Sequence, residues 1–202
     1  MDGTGVVALI IVILFFVNIS KPSAVSSAGK TDGSASSVYT ELKEDRSAWQ
    51  YQNISPERTD AVILKYNTNL SASEINLIKI NTNLYCKEKD IDPRLILALM
   101  ARESAFNPRA VSPSGAAGLG QIMPLNFKDL NITDPYDIQQ NIRGLVYYFR
   151  IKLDERRGEK NQLELALASY LEGSGAINSK NKKIEGHTAT YVNDILKIRS
   201  TI

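Results

Sequence analysis

The chain contains one cysteine, Cys86, and one histidine, His187, among 202 residues. A single cysteine excludes an internal disulfide, and with one histidine beside it no thiolate-rich or imidazole-rich zinc site can be assembled, so no metal is expected. Charge of one sign is lacking as well. The 24 basic residues stand against 22 acidic ones, interspersed, for a formal net charge of +2. No basic stripe invites nucleic acid and no acidic tail suggests a solvating arm. Period-2 alternation of the kind a half-buried strand requires is absent, and no internal repeat is visible. Any chemistry falls to oxygen-bearing side chains.

Apolar residues make up 43% of the chain, enough for one good core and, once an unusual N-terminus is set aside, for one domain. That N-terminus carries "VVALIIVILFFV", Val6 to Val17, twelve residues without a charge. The run suits the apolar stretch of an export signal and is short for a membrane span. Residues 1–20 therefore read as a signal peptide or an uncleaved membrane anchor. Residues 21–58 read as a Ser-, Ala- and Gly-rich tether followed by a polar lead-in that contains the only tryptophan, Trp49. Residues 59–202 read as the folded domain.

That region is a succession of helical patterns. "SASE" offers a capping box at Ser71 and Glu74 for a helix to about Lys87, with Ile75, Ile78 and Leu84 on one face. "DPRL" places Asp92 at a cap and Pro93 at the first helical position of the next helix, which ends at Glu103. Further helices are expected after Asp134 and Pro135, with Ile138, Ile142, Leu145, Val146, Phe149 and Leu153 inward. Two more are expected over Gln162–Leu171, stopped by Gly173 or Gly175, and over Thr190–Arg199. The fold class is all-α.

One residue breaks the pattern. Ile96, Leu99, Met100 and Glu103 fall at i, i+3, i+4 and i+7, so Glu103 lies on the apolar stripe that faces the core. Expulsion from water favours the neutral acid and lifts its pKa toward the range a proton donor needs. A helix-terminal glutamate paired with Arg102 or Arg109 is the bland alternative. Downstream, Pro108, Pro113, Gly115, Gly118, Gly120 and Pro124 argue for turns and a loop, and such a loop usually carries function.

From Glu103, "ESAFNPRAVSPSGAAGLGQIMP" closely resembles the first motif of the soluble-type lytic transglycosylases over 22 consecutive residues. "DPYDIQQNIRGLVYYF", "ALASYLEGSGAI" and "TATYV" follow in that family's order. The resemblance implies a goose-type lysozyme-like fold, peptidoglycan glycan strands as substrate, an exported location in the periplasm or cell envelope, and service to an envelope-spanning assembly. It also implies that Glu103 is the catalytic acid and that Ser112, Gln121, Met123 and Tyr170 line the sugar groove. Read from the residues alone, Ser112 simply opens a turn, Met123 fills a core gap, Tyr170 is a core aromatic, and Gly118 and Gly120 serve either a saccharide or the turn.

Three positions depart from the family pattern. Leu171 follows Tyr170 where an asparagine is usual, Gly120 stands where a methionine often precedes the motif glutamine, and His187 takes the place of a glutamate ahead of the last tyrosine motif. The mechanism implied by the resemblance needs one carboxylate. Glu103 protonates the bond between N-acetylmuramic acid and N-acetylglucosamine, the muramic acetamido group supports the cationic centre, and the 6-hydroxyl closes a 1,6-anhydro ring. The competing functions are a lysozyme-like hydrolase, which admits water instead, and a non-catalytic wall-binding module.

Overall fold

The computed structural model describes residues 49–202; the apolar run and most of the tether lie outside the described residues. The described residues form seven α-helices and no strand: α1 Pro56–Tyr66, α2 Ala72–Glu88, α3 Pro93–Ser104, α4 Ile138–Glu155, α5 Gln162–Glu172, α6 Ser174–Ser179 and α7 Gly186–Ser200. None of these helices is long and apolar enough to cross a membrane.

Local chemistry explains most of the boundaries. The Ser71 side chain accepts from the Glu74 N–H while Glu74 accepts from the Ser71 N–H, which is the capping box expected for α2. Asp92 accepts from the Arg94 N–H with Pro93 behind it, and Asp137 accepts from the Gln140 N–H to start α4. Ser55 and Pro56 repeat the device for α1, a helix not expected from the sequence, which straddles the boundary drawn at residue 59. Gly173 ends α5 at φ +84°, whereas Gly175 lies within α6, a single short turn that carries too little pattern to be read. The inward stripe of α4 is buried throughout, as its spacing predicts.

One expectation for α2 fails. Leu84 is 52% exposed, and the buried side is Ile78, Asn81, Thr82, Tyr85 and Cys86. Leu84 lies six residues from Ile78, or about 240° around the helix at 3.6 residues per turn, so it turns away from the face that Ile78 and Thr82 share.

Helix α3 is the centre of the core: Leu95 through Met100 are fully buried. It packs against α1, α2 and α7, while α4 joins α2 to α5. Three polar ties fix α3 antiparallel to α7. At one end the fully buried Asp92 accepts from Arg199 Nε at 3.0 Å and meets Arg94 and Arg199 Nη2 at 2.9 Å each. Near the other end Arg102 meets Asp194 at 3.2 Å. At the far end Tyr191 donates to Glu103. A buried carboxylate is tolerable only when neutralised in this way, so Asp92 acts as a registration point between the two helices. The lead-in takes part too, because Trp49 is 3% exposed and its carbonyl accepts from the Asp92 N–H at 2.6 Å.

Candidate active site

Helix α3 stops abruptly just past Glu103. Ala105 and Phe106 both adopt left-handed backbone, φ 49° and 57°, and their N–H groups return to the carbonyls of Ala101 and Met100. What holds two non-glycine residues there is tertiary. Phe106 is fully buried with its ring centroid 6.2 Å from that of Tyr66, and its carbonyl accepts from Asn67 Nδ2 at 3.2 Å. Ser104 ties the same turn to the following loop by donating to the Leu119 carbonyl at 2.8 Å.

The loop is a tight double turn with two isolated antiparallel bridges, Val111 with Ala117 and Ala117 with Ile122. The Ser112 hydroxyl accepts from the Ala116 N–H at 3.0 Å and lies 2.9 Å from the Ser114 hydroxyl, so it does close the turn. Gln121, at φ +49°, donates its amide to the carbonyls of Ala110 and Gly118, which leaves the amide oxygen as its remaining side-chain hydrogen-bonding group. Met123 is half-buried and leads into a single 3-10 turn at Pro124–Asn126. The question left open for the glycines resolves toward packing. A Cβ on Gly118, at φ +75°, would sit 2.3 Å from the Pro135 carbonyl, and one on Gly120 would sit 2.9 Å from the Leu145 Cβ.

Asn141 of α4, which the sequence reading passed over, locks this loop. It is buried, accepts from the Gly120 N–H at 2.8 Å, and donates to the carbonyls of Ala117 at 3.0 Å and Pro135 at 2.8 Å. Its one signal in the sequence was a polar residue beside Ile142 on the inward side of α4. Tyr170 of α5 fastens the loop from another direction, donating to the Gly120 carbonyl at 2.6 Å. Its ring lies edge-on to Tyr148 at 5.3 Å, and Lys152 Nζ sits 4.7 Å from the Tyr148 centroid.

Of the side chains described, Tyr170, Tyr191 and Arg102 are the ones that interact with Glu103. Its carboxyl is pushed up from an ordinary 4.5 to about 7, first by burial, against which the hydrogen bond from Tyr191 and the charge of Arg102 pull it down. Position at the C-terminal end of α3 works in the same direction as burial, since the helix dipole disfavours an anion there. The effect is reciprocal. Tyr170 and Tyr191 are both held well above the ordinary phenol range, by burial and then by the negative charge of Glu103. Tyr191 lies inside the "TATYV" motif, yet only the packing of α7 on α3 identifies it as the partner of the acid.

The remaining departures occupy quiet positions. Leu171 packs half-buried on the core, and His187 is exposed at the start of α7. Among the described residues no group of three or more His, Cys, Asp or Glu side chains is arranged to hold a metal.

Comparison with known proteins bears on this geometry. The profile of the transglycosylase SLT domain matches residues 81–192, more than half of the chain. The chain belongs to the SLT domain family. A transglycosylase of Enterobacteria phage PRD1 is 39% identical over 106 residues, 52% of this chain and 38% of the phage protein. The membrane-bound lytic murein transglycosylase F of Pectobacterium atrosepticum is 35% identical over 99 residues, 48% of this chain and 21% of that one. Such relatives are therefore much longer than the matched segment. Among solved structures, the 70-kDa soluble lytic transglycosylase of Escherichia coli aligns with a TM-score of 0.52 at 24% identity, over 60% of this chain and 23% of that one. That likeness supports the lysozyme-like fold. The residues from α3 through Tyr191 fall inside the matched segment, whereas Trp49, α1, Asp194 and Arg199 lie outside it.

Proposed function

We propose that the chain is a peptidoglycan lytic transglycosylase that cuts the β-1,4 bond between N-acetylmuramic acid and N-acetylglucosamine and leaves 1,6-anhydro-muramic ends. The observation that carries this reading is Glu103, a carboxyl pushed up to about 7 by burial and bonded by Tyr191. An acid with that pKa is protonated in a useful fraction of molecules near neutral pH and becomes a competent base after giving up its proton. Glu103 protonates the glycosidic oxygen as the bond to the muramic C1 breaks. The substrate acetamido oxygen supports the developing cation where a second carboxylate would serve in other glycosidases. Glu103 then takes the proton of the muramic 6-hydroxyl as that oxygen bonds to C1, and the hydrogen bond from Tyr191 steadies the carboxylate between the two transfers.

In this reading Ser112, Gln121, Met123 and Tyr170 border the groove. Gln121 offers its amide oxygen, Ser112 and Tyr170 keep the loop in shape, and Met123 supplies an apolar edge. The names of the relatives, several of them membrane-bound lytic murein transglycosylases, support an envelope location. The uncharged run at residues 6–17 supports delivery by an export signal or anchor. Mass analysis of peptidoglycan digested by the purified chain tests the reaction. Anhydro-muropeptides, one water lighter than hydrolytic products, are expected. Reducing ends in their place would assign a lysozyme-like hydrolase, and binding without cutting would assign a wall-binding module.

A further inference from the structure

A cleft of about 310 Å³ lies between the end of α1, Ala101 and Arg102 of α3, and the last turns of α7. Its wall includes three cations, Lys65, Arg102 and Lys197, and one carboxylate, Asp194, which pairs with Arg102 at 3.2 Å. Lys65 and Lys197 are exposed and form no ion pair among the described residues. The rest of the wall is Tyr66, Ala101 and Ile198, which offer carbon surface, and Thr201. Arg102 also lies 5.4 Å from the Tyr191 ring centroid, which connects the cleft to the partner of Glu103.

We propose that this cleft binds a carboxylate-bearing peptide. Its excess of positive charge selects an anion, and the Tyr66 and Ile198 walls favour one with an organic body over a bare inorganic ion. The identity of the peptide rests on the peptidoglycan reading, because wall strands carry short peptides with free carboxylates. Lys65 and Lys197 attract the carboxylates, Arg102 shifts between Asp194 and the ligand, and the peptide lies across Tyr66.

The test is calorimetric titration of the full chain carrying Glu103→Gln, with tri-glutamate and, separately, end-capped tri-glutamine. Saturable binding of tri-glutamate alone is expected, about tenfold weaker when Lys65→Gln and Lys197→Gln are added and similarly weakened by high salt. Lys65→Arg with Lys197→Arg should restore it, which separates lost charge from lost folding. Equal binding of tri-glutamine, no binding of tri-glutamate, or unchanged affinity in the doubly neutralised chain would overturn the proposal. So would inorganic phosphate displacing tri-glutamate at equal concentration, since that would mark a patch indifferent to the organic body. Peptidoglycan cleavage by the unsubstituted chain is scored separately. Cleavage without tri-glutamate binding defeats only this inference, and tri-glutamate binding without cleavage defeats only the transglycosylase reading.

Discussion

Replacing Glu103 with glutamine keeps the shape of the side chain and an acceptor for the Tyr191 hydroxyl while removing the ionisable proton, so the substitution isolates the energetic effect of burying that charge. A rise from 4.5 to about 7 corresponds to about 3 kcal/mol of disfavour for the ionised form. Between those two pH values the folded chain retains a proton that the unfolded chain has released. Stability of the native protein therefore falls as pH rises through this window, and the penalty is complete above about 7. Glu103→Gln should match the native chain in stability near pH 4 and exceed it above pH 7 by up to about 3 kcal/mol, or roughly 6–12 °C in Tm for a domain of this size. Urea and thermal unfolding at about half-unit steps from pH 4 to 8.5 measure it. Muropeptide release by the same variant should fall about 10²–10⁴-fold, and release by the native chain should decline as pH rises through about 7. A stability difference that stays flat with pH, or a variant less stable than the native chain at pH 8, would refute the claim that burial raises this acid.

Three further outcomes follow from the same geometry. Tyr191→Phe removes a donor that lowers the Glu103 pKa, so the alkaline limb of the pH–rate profile should move up by about one to two pH units, the scale of a hydrogen bond to a charged group; an unmoved limb would sever Tyr191 from the acid. Asn141→Ala orphans the Gly120 N–H and the carbonyls of Ala117 and Pro135, and should cost about 3 kcal/mol in urea unfolding together with most of the activity. A chain starting at residue 59 loses the buried Trp49 and the start of α1, and should be about 3–5 kcal/mol less stable than one starting at residue 49, as read by circular dichroism on heating.

Much of the fold was legible in the sequence because it rests on short-range rules. The capping box that starts α2, the Asp92 cap and Pro93 that start α3, and the inward stripe of α4 depend on residues a few positions apart, and those neighbours are visible in a linear string. Helix α1 was not legible because its Ser-Pro start lies in a polar stretch. Leu84 faces outward because its angle on the helix, and not its hydrophobicity, sets its side.

For the site, the sequence by itself determined the catalytic candidate. A glutamate on an apolar stripe is an energetic anomaly that composition and spacing expose, and a motif of 22 residues connects it to a family. Only the tertiary structure decided how that acid is held. Tyr191 lies 88 residues away along the chain and becomes the partner of Glu103 because Asp92 and Arg199 register α7 against α3. Asn141 and Tyr170 close on Gly120 across gaps of 21 and 50 residues. Whether Gly118 served a ligand or the fold was likewise set by a carbonyl on another segment. Hydrogen bonds and burial are properties of distance in space, and chain position determines that distance only within a turn or two of helix.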